Sequence, residues 1–385
     1  MEIKKQVIEC SRCLLTTNDT EEITFDEKGV CNYCTYYDAI HAEHVIKPQD
    51  RVKKYTELVS HIKQLSKGKK YDCVIGVSGG VDSTYVAYFV KKVLGLNPLA
   101  VHLDYGWNSD MAVTNINKTL QLLEIDLYTH VVNWEEIKDL QLSFLKASVV
   151  DIELVNDFAI AATVFNVAAK HGIKYILHGG NIQTEGGKLP TGWTWSKYDQ
   201  LNVFGIHKQF GTVKLKTYPR LPFWKKSYLT LVYKMQFIGI LNYIEYNRDA
   251  VKKFIIEELG WEDYGGKHFE SVFTRFYQGY ILPKKFNIRK QKFHLSVLIC
   301  SGQLTKEQAQ EELKLEYYSD ERCKEDMEYV LKKLDISEET FNGYMNLPIK
   351  KHSDYPTYTK NHYKRQQQFF NLISPFVKLT RKILK

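Results

Sequence analysis

Short apolar runs and longer helix-spaced stretches take turns along the first half of this 385-residue chain. Four segments read as buried strands: Cys73 to Val77, Leu99 to Leu103, Leu127 to Val132 and Lys174 to Leu177. Largely unbroken apolar runs of this length suit strands covered on both faces. Between them, apolar residues recur every three or four positions over Tyr85–Leu94, Met111–Leu123, Leu140–Ala147 and an alanine-rich stretch that opens at Asn156, Asp157 and Phe158. Gly172 ends that last helix. Strand and helix in alternation predict an α/β domain with a parallel sheet. Upstream, Tyr55, Leu58, Val59, Ile62 and Leu65 repeat at helical spacing within a basic connector and predict a helix packed on that domain. Downstream, Gly186 to Tyr218 is long, polar and aromatic (Trp193, Trp195, Tyr198, Asn202, His207), which predicts a substrate-enclosing wall or lid. Leu221 to Tyr243 reads as helix-rich. Thr305 with Gln308 forms a capping box, and Ser337 caps a further helix.

The first strand runs straight into Ser78, Gly79, Gly80, Val81, Asp82, Ser83 and Thr84. A strand, a glycine turn and a helix start form a phosphate-binding arrangement. Gly79 and Gly80 let the backbone turn sharply and approach an anion, and the first amides of the helix point at it. The hydroxyls of Ser78, Ser83 and Thr84 add donors. Asp82 repels bare phosphate, so its expected task is to hold a Mg²⁺ ion. Neither G-x-x-x-x-G-K-[ST] nor G-x-G-x-x-G is present, which excludes the Walker and dinucleotide loops.

Ligands in open α/β sheets sit beyond the carboxyl ends of the strands. Two further strand ends therefore matter. The second strand closes on Asp104, Tyr105, Gly106, Trp107 and Asn108; Asp104 and Asn108 are placed to touch nucleotide or substrate, although Asp104 equally suits a helix cap. The fourth runs into His178, Gly179, Gly180 and Asn181, followed by Glu185. His178 and Asn181 are candidate ligands for nucleotide or acceptor, and Glu185 for a metal or nucleophile. Asp157 fits two roles, an N-cap and a catalytic or binding carboxylate. Arg275, Lys284, Lys285 and Arg289 lie among aromatics, with Lys267 and His268 nearby; a guanidinium pairs with phosphate in bidentate fashion, and Arg275 suits a sugar-nucleotide diphosphate or a leaving pyrophosphate.

Cys10-x-x-Cys13 and Cys31-x-x-Cys34 have the spacing of a tetrahedral Cys₄ zinc site with each pair on a knuckle, joined through a short strand at Ile23–Phe25. Such a site has no open position and is structural. Seven cysteines, an odd number, argue against a disulfide framework. Charge is unevenly placed. Residues 350–385 hold nine Lys or Arg against Asp354, the whole net charge of +8. The remainder is neutral overall, which speaks against a nucleic-acid platform. Lys364 to Lys385 forms a basic amphipathic tail interrupted by Pro375, suited to an anionic membrane surface or to packing on its own domain. No apolar run approaches membrane-spanning length, and the first residues lack the apolar centre of a signal peptide, so a cytoplasmic enzyme is expected.

SGGVDS resembles the PP-loop motif of the ATP pyrophosphatases, which cleave ATP between the α and β phosphates and adenylate a carbonyl oxygen. With the Cys₄ ribbon, HLDYGWNSD, ILHGGN and FTRFYQGYILPKKFNIRKQKFHLS, the chain resembles the N-acetyl sugar amidotransferases of bacterial lipopolysaccharide and nonulosonic-acid pathways. The resemblance runs from about Cys10 to about Leu347. It implies a parallel-sheet PP-loop domain with an N-terminal zinc ribbon and a C-terminal helical region, divided as 1–45, 46–225, 226–349 and a tail, 350–385. It also implies that ATP and Mg²⁺ sit on Ser78 to Thr84 with His102, Asp104 and Gly179 near the nucleotide. Asp82, Asp157, His178, Asn181 and Arg275 are then the catalytic candidates. Asn108, Glu185, Lys285 and Arg289 face the substrate. The implied reaction adenylates the acetamido oxygen of a nucleotide-linked sugar. Ammonia then displaces AMP to give an acetamidino sugar. The chain carries no glutaminase of its own, so ammonia is expected from a separate glutaminase and cyclase-like pair resembling the histidine-pathway synthase. Two other readings stand beside it: a zinc-ribbon tRNA thiolation enzyme, which needs thiols in its site, and a non-catalytic ATP-binding adaptor.

Overall fold

The structure, a computed structural model, describes residues 7–266, 269–315 and 318–358. Lys267, His268 and the amphipathic stretch 364–385 lie outside the described residues. Five parallel strands form one sheet: β1 (Cys73–Gly76), β2 (Pro98–Asp104), β3 (Leu127–Val131), β4 (Tyr175–His178) and β5 (Gln236–Gly239), in the order β3-β2-β1-β4-β5. The continuous apolar runs of β1 and β2 are explained by burial on both faces. Val74, Leu99, Val101, Leu103 and Ile176 share one core with Phe144, Phe158 and Phe165. Cys73, Ile75, Val77, Ala100 and Leu177 share the other with Val86, Ile116, Leu120 and Ile255. Successive side chains thus pass to opposite faces, and helices cover both.

The order reverses between β1 and β4. Two neighbouring strands whose connections leave in opposite directions open a crevice at their carboxyl ends. The glycine turn after β1 and the one after β4 meet there: a Cβ on Gly179 would lie 2.9 Å from Cβ of Asp82.

Several expectations need correction. Leu221–Tyr243 is helix-rich, with helical turns over Phe223–Ser227, Tyr228–Val232 and Ile240–Tyr243, but it also holds β5, paired along its length with β4. A four-residue edge strand is too short to show alternation, and the apolar residues before it have helical spacing. The sheet therefore extends past residue 225. The segment 186–218 is not wholly loop, since Gln200–Phe210 is a helix capped by Asp199. Within the cysteine-rich segment, single bridges (Glu9 with Thr16, Phe25 with Cys31) replace the expected strand. Cys34 lies in the first turn of the helix Asn32–His44 rather than on a second knuckle. Lys350–Tyr358 is part of the body. His352 is buried, with Nδ1 donating to Asn202 Oδ1 (2.7 Å) and Nε2 accepting from the Asp151 amide (3.2 Å).

Candidate active site

The turn after β1 is built by close packing. Gly79 has φ +80°, and a Cβ there would run into the Ala112 carbonyl. Trp261 Nε1 donates to the Gly79 carbonyl at 2.8 Å, holding the turn from outside. Ser83 Oγ accepts from the Ser78 amide (3.2 Å) and donates to the Gly80 carbonyl (3.1 Å). Ser78 Oγ accepts from the Gly80 amide at 3.3 Å. The helix Val81–Tyr88 follows, and its first intrahelical bond runs from the Thr84 amide to the Gly80 carbonyl at 3.0 Å. The amides of the helix's first turn precede that bond, at the helix end where an anion finds its donors. These residues fit the triphosphate of ATP.

A cavity of about 390 Å³ opens beside this turn. Its lining includes Ser78, Ser83, His102 and Asn108, together with the charged groups of Glu153, Asp157, Lys197, Glu270 and Lys290 and the hydroxyl of Thr274. His102 is oriented by two bonds: Nδ1 donates to the Val77 carbonyl (3.0 Å), so Nε2 accepts from Asn108 Nδ2 (3.1 Å). Asp104 lies just outside the wall, its Oδ1 accepting from the Gly106 amide at 3.0 Å, which shapes the turn that presents Asn108. Part of the wall is brought in by segment 270–278. The Ser109 amide donates to the Glu270 carbonyl (2.9 Å) and the Val272 amide to the Trp107 carbonyl (3.0 Å), with Asn108 bridged to Ser271.

The helix Leu154–Lys170 begins on that wall with Glu153 at its N-cap position, without a side-chain capping bond. Asp157 is thus not the cap. It sits in the first turn, faces the cavity and pairs with Lys197 at 2.8 Å. Lys197 also holds the buried Asp151 at 2.6 Å; this ammonium, with the Trp195 amide, keeps the Asp151 carboxyl below the usual range against the cost of burial. Lys290 reaches the same wall from the first turn of the helix Lys290–Cys300, and burial pulls its pKa down despite these carboxylates.

Several expected site residues are occupied elsewhere. Thr84 is buried and off the cavity wall. Asp82 accepts a short hydrogen bond from the Tyr246 hydroxyl and stands beside the wall, facing Gly179. Gly79, Gly80 and Gly179 supply backbone shape. His178 stacks on Phe237 (centroids 4.0 Å apart), accepts from the Gly180 amide at 3.1 Å and is neutral, since burial pushes its pKa down to about 4. Asn181 is buried and caps the turn Ile182–Glu185, accepting from the Thr184 amide at 2.9 Å. Glu185 is exposed and off the wall. The Arg275 guanidinium, expected on phosphate, is spent on the buried Asp326 through bonds of 2.7 and 2.6 Å. Lys285 donates to the carbonyls of Tyr344, Met345 and Leu347 at 2.8 to 3.0 Å, closing the end of the helix Glu338–Met345. Arg289 is exposed and away from the cavity. Glu153, Lys197, Lys290 and Trp261 were not singled out. The acids at 151, 153 and 157 ahead of an apolar helix were a readable signal; nothing local marks Lys197 or Trp261.

The four N-terminal cysteines converge, with Sγ atoms within 4.8 Å of one another. Cys10–Cys34 is 3.9 Å, while Cys13–Cys31 and Cys31–Cys34 are each 3.7 Å. A tetrahedron of Zn–S bonds near 2.3 Å has edges of about 3.8 Å, so the set fits zinc. Amides of Arg12, Cys13 and Cys31 donate to Cys10 Sγ at 3.2 to 3.4 Å. The cluster rests on the helix Lys290–Cys300: Tyr33 packs edge-on against Phe293, the Leu14 amide donates to Ser296, and Arg12 donates to the Cys300 carbonyl.

Residues 54–170 match the NAD synthase family, and residues 270–369 match the family described as "LPS biosynthesis protein WbpG-like, C-terminal domain". An uncharacterized protein of Methanocaldococcus jannaschii is 26% identical over 120 residues, 31% of this chain and 41% of that protein, so the match spans less than half of that relative. An NH₃-dependent NAD synthetase from Campylobacter jejuni aligns over 54% of this chain and 84% of its own, at 16% identity and a TM-score of 0.28.

Proposed function

We propose that this chain, whose residues 54–170 match the NAD synthase family and whose residues 270–369 match a WbpG-like domain of lipopolysaccharide biosynthesis, is an AMP-forming amidotransferase acting on the N-acetyl group of a nucleotide-linked sugar. One observation carries this reading: Ser78 and Ser83 of the glycine turn, Glu153 and Asp157 of the same ATP domain, and Glu270, Thr274 and Lys290 of the second segment line one cavity. ATP lies with its phosphates on the turn after β1, against the amides of the helix's first turn and the hydroxyls of Ser78 and Ser83. Asp82 is the residue that would hold Mg²⁺, which supplies charge neutralisation for the departing pyrophosphate. The acetamido oxygen attacks the α phosphorus, pyrophosphate leaves, and ammonia adds to the activated carbon as AMP departs. Asn108, held by His102, and Lys197, held by Asp151, orient the sugar. The cysteine cluster is a structural zinc site set apart from the cavity.

Ammonia comes from a separate glutaminase acting with a cyclase-like subunit. Thiolation is disfavoured by the cavity wall, which no cysteine lines among the described residues. Cys73 is wholly buried behind the turn, where burial raises its pKa and keeps it protonated. The test is mass spectrometry of purified protein with ATP, Mg²⁺, ammonium chloride and a panel of UDP- and CMP-linked N-acetyl sugars. AMP with a product about one dalton lighter than its acceptor, from O exchanged for NH, is expected. AMP formed solely with tRNA and a sulfur donor sinks the proposal, and ATP binding without AMP under any condition favours the adaptor.

A further inference from the structure

Glu153 occupies an unusual place in the cavity wall. It is 7% exposed, yet its carboxyl lines the cavity shared with Ser78 and Ser83. Thr274 Oγ1 donates to Glu153 Oε2 at 2.7 Å, and Asn156 Nδ2 donates to Oε1 at 3.3 Å. Asn156 is itself fixed by Gln141 at 3.2 Å. Both donors to the carboxyl are neutral. The two other acids near it, Asp151 and Asp157, are each held by Lys197. Lys290 faces the same group, 5.6 Å from the centre of the Tyr277 ring, and the phenols of Tyr105 and Tyr277 complete its ionisable surroundings. Beside Glu270, the wall therefore holds one carboxylate neutralised by an ammonium, Asp157, and one that keeps its capacity to take a proton, Glu153.

On the reading given above, we propose that Glu153 is the proton acceptor of the amine-transfer step. Ammonia forms a C–N bond to the adenylated carbon with its lone pair, and the C=N π electrons move to the sugar nitrogen, which carries one hydrogen. The new nitrogen is then a cationic –NH₃⁺. It gives one proton to the Glu153 carboxylate and becomes –NH₂. That nitrogen's lone pair forms the C=N bond as the C–O bond breaks, and AMP takes the bonding electrons. The product is the protonated amidine, and Glu153 returns its proton to solvent. Bases of this kind contribute about 10²- to 10⁴-fold. Burial, and next the charge on Asp157, push the Glu153 pKa up to about 8 against the opposing Thr274 bond. Its proton affinity is thereby matched to neutral pH.

The experiment separates the two half-reactions in the full-length protein. Acceptor-dependent exchange of labelled pyrophosphate into ATP, without ammonium, reads adenylation. Amidine formation with ammonium chloride reads transfer. Glu153→Gln is expected to retain exchange and to lose amidine formation by at least about 100-fold. Wild-type transfer, expressed per concentration of free NH₃, should rise with pH through about 8, and the variant's residual rate should be flat. Thr274→Val, which removes a bond favouring the ionised form, should move the wild-type limb to higher pH; this second variant serves if Glu153→Gln does not fold. Amidine formation in Glu153→Gln within a few-fold of wild type overturns the proposal, as does an equal fall in both half-reactions or an unmoved limb in Thr274→Val. No exchange in the wild type with any acceptor removes the amidotransferase reading itself, and this proposal with it.

Discussion

Gly79 shows how little freedom single residues have at this site. Its positive φ and its closeness to the Ala112 carbonyl both exclude a side chain. Gly79→Ala should cost more than about 1 kcal/mol of stability and weaken ATP binding, read by thermal unfolding with and without ATP; an unchanged melting temperature contradicts the turn geometry. Glu153 has a different signature. Its folded pKa, about 8, stands above the ordinary 4.5. Between those values the folded chain holds a proton that the unfolded chain has released, so this group makes stability fall as pH rises through the window. The slope is at most about 1.4 kcal/mol per pH unit. Glu153→Gln should remove that slope, and denaturant titrations from pH 5 to pH 8 of both proteins would expose the difference. The glycine turn was legible from sequence because its chemistry is local. The roles assigned to Arg275, Asn181 and Lys285 were not, since a side chain's partner depends on what the fold brings to it.

Elements repeat that distinction. β1 to β4 are legible because strands buried on both faces write apolar runs into the sequence, whereas β5 lies at the sheet edge and is half exposed, so little in its composition separates it from helix. Arg275 and Asp326 tie the helix Val272–Phe276 to the helix Asp320–Leu334. Removing one partner strands a buried charge. Arg275→Ala should therefore cost roughly 3–5 kcal/mol, while Arg275→Met with Asp326→Leu recovers most of it. Unaltered stability with weakened ATP or acceptor binding would instead return Arg275 to the phosphate.

Across the whole molecule, the cavity belongs to no single stretch of sequence. The ATP turn comes from residues near 80, the oriented histidine from β2, the carboxylates from around 155, a lysine from 197 and the closing strip from 270–290. Each neighbourhood is legible in the sequence but the assembled wall is not, because assembly rests on pairings such as Trp107 with Val272, more than 150 residues apart. On the proposed function, with zinc on the four cysteines, its removal by chelation should raise the KM for the sugar acceptor several-fold and leave the KM for ATP nearly unchanged; steady-state kinetics before and after zinc is restored would check it, and equal changes in both would refute it. The reason is mechanical. The helix Lys290–Cys300 has one end in the cavity and the other against the cysteines, with Cys300 Sγ 3.5 Å from Cys34 Sγ. Ten residue steps at 1.5 Å make it a strut about 15 Å long. On the proposed function, a cell short of zinc would keep an enzyme that charges its substrate normally but grips it loosely, so that metal supply would govern how scarce a sugar it can still use.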